Sequence, residues 1–231
     1  MSSRAAHAIS IAFALCIIGL LAYSLKGMAP MVACGDLAKG YQPIIAFELA
    51  RSAADLQAIF GHGASACRTA AQAGFAQVNF SDNFIFIPVY TLFIVFFFLG
   101  TRASDPFLSR IGILVAILAA LGDWVENHNL VLLAASPDTP PAAALLHLHL
   151  ATGVKWIALG IANFIGGLIL GQRGGIWNSL AFVLCAASLI LTGLGLSYSP
   201  AFGPQISNAI AIGWLIFLIV DIRQVASRKI N

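Results

Sequence analysis

The sequence predicts an all-α, polytopic membrane bundle: six transmembrane helices, with an external amphipathic helical segment between the first and second. Three observations carry this. Of the 231 residues, 60% are hydrophobic and 9% charged, where a soluble domain carries about a quarter charged residues. The mean hydropathy is +0.92. The apolar residues also gather into six runs, each near the roughly 20 residues a helix needs to cross hydrocarbon. Open strands would leave backbone groups unsatisfied in lipid, and the period-2 alternation of a membrane barrel is absent. A chain this apolar cannot present a solvated surface all round, which excludes an ordinary cytosolic enzyme and a disordered protein. It also excludes a nucleic-acid partner, since the net charge is only +3, from 12 basic and 9 acidic residues.

The spans fall at about 5–25, 83–100, 110–134, 144–171, 176–197 and 205–222, within a single membrane domain covering 1–231. The third is interrupted by DWVENHN, and the fourth by HLH and Lys155. Pro88 should kink the second span. Gly167 and Gly171 form a small-xxx-small pair that permits close helix approach. Arg4 and the first apolar run could start a signal peptide, and MVAC at 31–34 faintly resembles a lipoprotein cleavage box. The run ends near Tyr23 and Lys26 intervenes, so an uncleaved anchor is expected.

Orientation follows from Lys and Arg, which concentrate on the cytoplasmic side. With six spans, Arg4, Arg102, Arg110, Arg173, Arg223, Arg228 and Lys229 fall on one side. Lys26, Lys39, Arg51 and Arg68 fall on the other, all in the long segment 27–82. Both termini are therefore expected in the cytoplasm, and the chain reads as an integral protein of a bacterial inner (plasma) membrane.

The segment 27–82 is then external. It is an amphipathic insertion and not an independent domain. Cys34 and Cys67 would face an oxidising compartment, where a disulfide between them is expected. Pro43 followed by IIAFELARSAADLQAIFG reads as one helix ending at Gly61. Glu48, Ser52 and Asp55, at i, i+4 and i+7, form its polar stripe. A second amphipathic stretch follows near 65–78.

Charged side chains inside membrane helices are costly, about 2.5–3.5 kcal/mol each on insertion scales. Asp82 opens the second span; Asp123, Glu126 and Asn127 lie in the third; His147, His149 and Lys155 lie in the fourth. At 1.5 Å per residue, Asp123 and Glu126 sit roughly 20 and 24 Å above the cytoplasmic entry, and Lys155 roughly 17 Å below the outer boundary. All fall in one layer, in the outer half or near the midplane. Asp123, Glu126 and Asn127, at i, i+3 and i+4, share a face. His147 and Lys155, at i and i+8, are expected to share another. His147 and His149 are about 200° apart on a helix, which argues against a simple H-x-H metal pair.

Asp123, Glu126, His147 and Lys155 are thus the candidate catalytic groups. Glu48, Asp82, Asn127 and His149 are candidate binding groups. The spacing names no metal and no cofactor. Asp123 or Glu126 paired with Lys155 could also simply fasten two helices. The number of ionisable groups in one layer exceeds what fastening needs, and intramembrane ionisable residues are functional by default. Acid–base action on a membrane lipid or other apolar molecule comes first among the readings. A non-catalytic subunit or assembly factor, with other membrane subunits as partners, comes second. A transporter or proton relay comes third, because the polar layer stops near the midplane. Asp221 and Arg223, ending the sixth span, read as a solvated interface pair. Tyr90 and Trp156 read mainly as packing residues.

Overall fold

The computed structural model describes residues 1–27, 31–197 and 202–227, apart from the side chains of 24–27. Arg228, Lys229 and the side chain of Lys26, which enter the charge argument, lie outside that description. The described residues contain no strand. The helices are α1 (Ser3–Gly27), α2 (Pro43–Glu48), α3 (Ala53–Phe60), α4 (Ala66–Ser81), α5 (Ile87–Thr101), α6 (Pro106–Ala135), α7 (Ala142–Gly171), α8 (Ile176–Leu196) and α9 (Ile206–Ala226). Six helical stretches are long and apolar enough to cross a membrane: Ser3–Tyr23, Ala66–Thr101, Pro106–Ala135, Ala142–Gly171, Ile176–Leu196 and Gly203–Ala226.

The second of these differs from expectation. The chain does not enter it at residue 83 after a separate amphipathic helix. α4 runs through a π-helical turn, Asp82–Phe86, directly into α5. Pro88 follows this turn. Proline offers no N–H and crowds the carbonyl four residues back, here that of Phe84. A π turn, with its longer hydrogen-bond reach, absorbs that misfit and lets the helix continue.

The insertion also departs from the single helix read over 43–60. It breaks after Glu48, because Ser52 starts a new helix. The Ser52 hydroxyl accepts from the Asp55 backbone N–H at 3.2 Å and donates to Asp55 Oδ2 at 2.8 Å. This Ser-x-x-Asp cap satisfies the first turn of α3. Gly61 closes α3 with φ +72°, a conformation glycine adopts without strain. Glu48, Ser52 and Asp55 therefore form no common stripe. Glu48 is buried, and Ser52 and Asp55 pair at the surface.

The six long helices close into a ring. α1 packs on α5, α5 on α6, α6 on α7, α7 on α8, α8 on α9, and α9 back on α1. α7 is the most enclosed. Small residues set the closest approaches. A Cβ on Gly167 would sit 2.7 Å from Cys185 Cβ, and one on Gly122 3.0 Å from the Lys155 backbone nitrogen. Gly122 thus brings α6 against α7 one residue before Asp123. Phe93, Phe97, Phe98 and Phe217 fill the ring's interior. Phe97 and Phe217 stack at 3.8 Å between centroids.

The insertion is tied together by a disulfide and held to the bundle by polar contacts. Cys34 and Cys67 are disulfide-bonded, with Cα atoms 5.8 Å apart, so Cys34 is engaged and not a free lipid-acceptor thiol. The Arg68 guanidinium binds the Phe60 and Gly61 carbonyls and both oxygens of Asp138, at 2.6 and 2.9 Å. That bidentate contact holds the Asp138 carboxyl below its ordinary range. Arg51 donates to the Leu196 carbonyl at 2.7 Å. Closing a loop across a sequence separation of 33 contributes on the order of 3–4 kcal/mol in the chain-entropy model. Cys34→Ser should lower the thermal midpoint in detergent by a matching amount. An unchanged midpoint would show that the other anchors hold the insertion alone.

Candidate functional site

Of the sequence-predicted site residues, Glu48, Asp82, Asp123, Glu126, Asn127 and Lys155 gather where α2 packs against α6 and α7. The apolar positions of α7 recur at Leu148, Ala151, Thr152, Trp156 and Leu159, all buried. Lys155 lies on that stripe and points into the bundle, 5% exposed. On α6, Asp123, Glu126 and Asn127 are buried and Trp124, Val125 and His128 exposed, as the i, i+3, i+4 spacing requires.

Three carboxylates converge on the Lys155 ammonium. Nζ lies 2.5 Å from Glu126 Oε1, 3.1 Å from Glu48 Oε2 and 3.3 Å from Asp123 Oδ1. The Asp123 contact has ion-pair distance without hydrogen-bond alignment. Further donors reach two of these carboxylates. Tyr90 donates its hydroxyl to Asp123 Oδ2 at 3.0 Å. Trp156 donates its indole N–H to Glu48 Oε2 at 3.0 Å. Thr152 donates to the Glu48 backbone carbonyl at 3.0 Å and so fixes the end of α2. Glu126 Oε2 is buried with no hydrogen-bond partner among the described residues. Lys155 Nζ also lies 4.7 Å from the centroid of the Trp156 ring.

Asp82 stands beside this group. Asn127 donates to Asp82 Oδ2 at 2.6 Å and approaches Asn83 Oδ1 at 3.4 Å. Burial pushes the Glu48 carboxyl above its ordinary value, with the Lys155 ammonium pulling the other way. Three carboxylates around one ammonium leave two negative charges uncompensated if all are ionised. Uncompensated buried charge is costly, so the cluster is suited to hold protons or to receive a positive group.

The histidines do not join it. His147 and His149 are exposed, and so is His128. The expectation that His147 shares the Lys155 face is corrected by the packing. Leu148 is fully buried between the two histidines, and at about 100° per residue they project to either side of it. Among the described residues, no group of three or more His, Cys, Asp or Glu has the geometry to hold a metal ion.

Trp156 and Thr152 were not legible as partners: an indole and a hydroxyl on an apolar helix carry no signal until their neighbours are known. The sequence leaves Tyr90, two turns below Asp82 on the same face, open to donating into the site, though packing is its favoured reading. Asp221 is a second correction. It is fully buried at the opposite end of the bundle, and His7 Nδ1 lies 2.5 Å from its Oδ1. Gly100 makes room for His7, since a Cβ there would lie 2.5 Å from the ring. Arg223 is exposed. The opposite half of the bundle therefore does contain an ionisable pair. His7→Phe should cost about 1–3 kcal/mol by leaving Asp221 buried without its hydrogen-bond partner. His7→Phe/Asp221→Leu should recover most of that in a thermal-denaturation series.

A cleft of about 390 Å³ lies on the side of the bundle, lined by Gln72, Phe75, Ala76, Asn79, Phe80, Asn83 and Phe84 together with Val131, Ala134 and Ala135 of α6. Asn83 lines this cleft and also approaches Asn127, so one amide links the cleft to the rim of the cluster.

Fold and site define a helical membrane-type protein with an ionic cluster enclosed between two apolar helices and a covering segment. Comparison with protein-family models, with curated proteins and with solved structures finds no match to this chain.

Proposed function

We propose that the protein binds a lipid or other apolar small molecule in the outer half of the membrane, and that the Glu48–Asp123–Glu126–Lys155 cluster supplies proton-transfer groups to it. The observation that carries this reading is the convergence of three carboxylates, from α2 and α6, on one buried lysine. A single pair would fasten α6 to α7. The additional acids add desolvation cost without a matching cation, an arrangement typical of functional ionisable sites in membranes. Glu48 comes from the insertion, so movement of α2 would expose the cluster and remove one of its carboxylates together. General acid–base work needs groups whose protonation is poised by burial and neighbours. The test is mass spectrometry of the protein purified in mild detergent, comparing molecules retained by the native chain and by Glu126→Gln. Retention of an apolar molecule by the native chain alone supports the reading; identical retention contradicts it.

This reading places residues 31–82 outside and both termini in the cytoplasm, supported by the bias of Arg4, Arg102, Arg110, Arg173 and Arg223 to the opposite face. Impermeant thiol labelling of single cysteines introduced near residue 70 and at residue 231 checks it. Labelling of intact cells near 70 alone is expected, and labelling at 231 alone would invert every depth assigned above.

A further inference from the structure

We infer that the side cleft, at the outer membrane interface, is the entry to the cluster and that it selects a single-chain amphiphile with a positively charged amine head. This deepens the proposed function and rests on it. The hydrocarbon part of the argument comes from the walls: Phe75, Phe80, Phe84, Val131 and Ala134 line the cleft, and no charged side chain does. Its volume of about 390 Å³ lies within the usual range of small-molecule sites, roughly 300–1,000 Å³.

The head-group part comes from which hydrogen-bonding atoms remain. The amide nitrogen of Gln72 is engaged by the Ala134 carbonyl at 2.6 Å, and that of Asn83 by the Asn79 carbonyl at 2.8 Å. Asn79 Oδ1 takes no hydrogen bond. The cleft's polar side therefore presents the acceptor oxygens of Gln72 and Asn79 beside the Asn79 amide nitrogen. Beyond Asn83 the next groups are Asn127 and the carboxylate of Asp82, then a cluster in which Glu48, Asp123 and Glu126 face the single ammonium of Lys155. A head group with donors and positive charge meets acceptors and excess negative charge along this whole route. An anionic head meets repulsion, and a hydroxyl supplies one donor and no charge.

The experiment uses the full chain in phosphatidylcholine nanodiscs. Three photoreactive probes with the same dodecyl chain carry an amine, a hydroxyl or a carboxylate head, and crosslinked peptides are mapped. The amine probe is expected to label residues 72–84 and 131–135 about tenfold more than the other two, the factor carried by one charge-assisted hydrogen bond. Ala135→Trp should block that labelling by filling the cleft, and Asp82→Asn should reduce it toward the level of the alcohol. Circular dichroism and thermal midpoints confirm that both variants fold. Equal labelling by the three probes, or preference for the alcohol or the acid, overturns the inference about charge and leaves the proposed function standing. Amine labelling indifferent to both substitutions also overturns it, as partition into lipid. Absence of site labelling by all three, with no apolar molecule retained by the native protein, sinks both.

Discussion

Lys155→Met is expected to destabilise the protein by roughly 3–5 kcal/mol, the usual cost of removing one partner from a buried ionic group. The figure follows from what is left behind. Glu126 Oε1, Glu48 Oε2 and Asp123 Oδ1 all lose the ammonium within 3.3 Å, and none of the three side chains is exposed enough to recruit bulk water. Denaturation in detergent measures the effect. Asp123→Asn/Lys155→Met should recover part of the loss, and adding Glu126→Gln more, because each step removes an orphaned charge. Single and multiple variants of equal stability would show that the cluster is hydrated and carries no buried charge.

Glu126→Gln is expected to abolish the proposed acid–base function while leaving a folded protein. The amide keeps the length and planarity of the side chain and can still accept from Lys155, but it cannot exchange a proton. Loss of one general acid or base costs about 10²–10⁴-fold in rate. Glu126 is the sharpest choice because its Oε2 has no hydrogen-bond partner among the described residues, whereas Asp123 is committed to Tyr90 and Glu48 to Trp156. A Glu126→Gln protein that retains and processes the same molecule as the native chain would remove this residue from the chemistry.

The bundle was legible because hydropathy and length act residue by residue, without knowledge of neighbours. The polar face of α6 was legible for a related reason: Asp123, Glu126 and Asn127 lie on one helix, so spacing alone decides whether they share a face. Depth arithmetic put Lys155 and Asp82 with them in the outer half or near the midplane. The azimuth of α7 was not legible, since its direction of burial is set by Gly122 and α2 pressing on Leu148, Ala151 and Thr152. His147 and His149 were assigned to the site for want of that knowledge. Asp221 was misread because its partner, His7, is 214 positions away while Arg223 is two. The break at Ser52 could have been read from its Ser-x-x-Asp pattern, which the apolar periodicity across residues 44–59 obscured. Nothing in the composition of Asp82–Phe86 announces a π turn; Pro88 signals a disturbed helix without saying how the chain accommodates it.

The central claim is that the cluster exists to handle a molecule and not merely to join α6 to α7. The most direct measurement compares the native protein with Asp123→Asn/Glu126→Gln/Lys155→Met, in which three of the cluster's four charged groups are replaced by neutral groups of similar size. Both are reconstituted in nanodiscs and examined by native mass spectrometry alongside their denaturation midpoints. The account predicts that the triple variant folds and recovers most of the stability lost in Lys155→Met, Glu48 being the one carboxylate left without the ammonium, and that it no longer carries the apolar molecule bound to the native chain. A triple variant that folds and retains the same molecule in the same amount would contradict the account and leave the cluster as a fastening between helices.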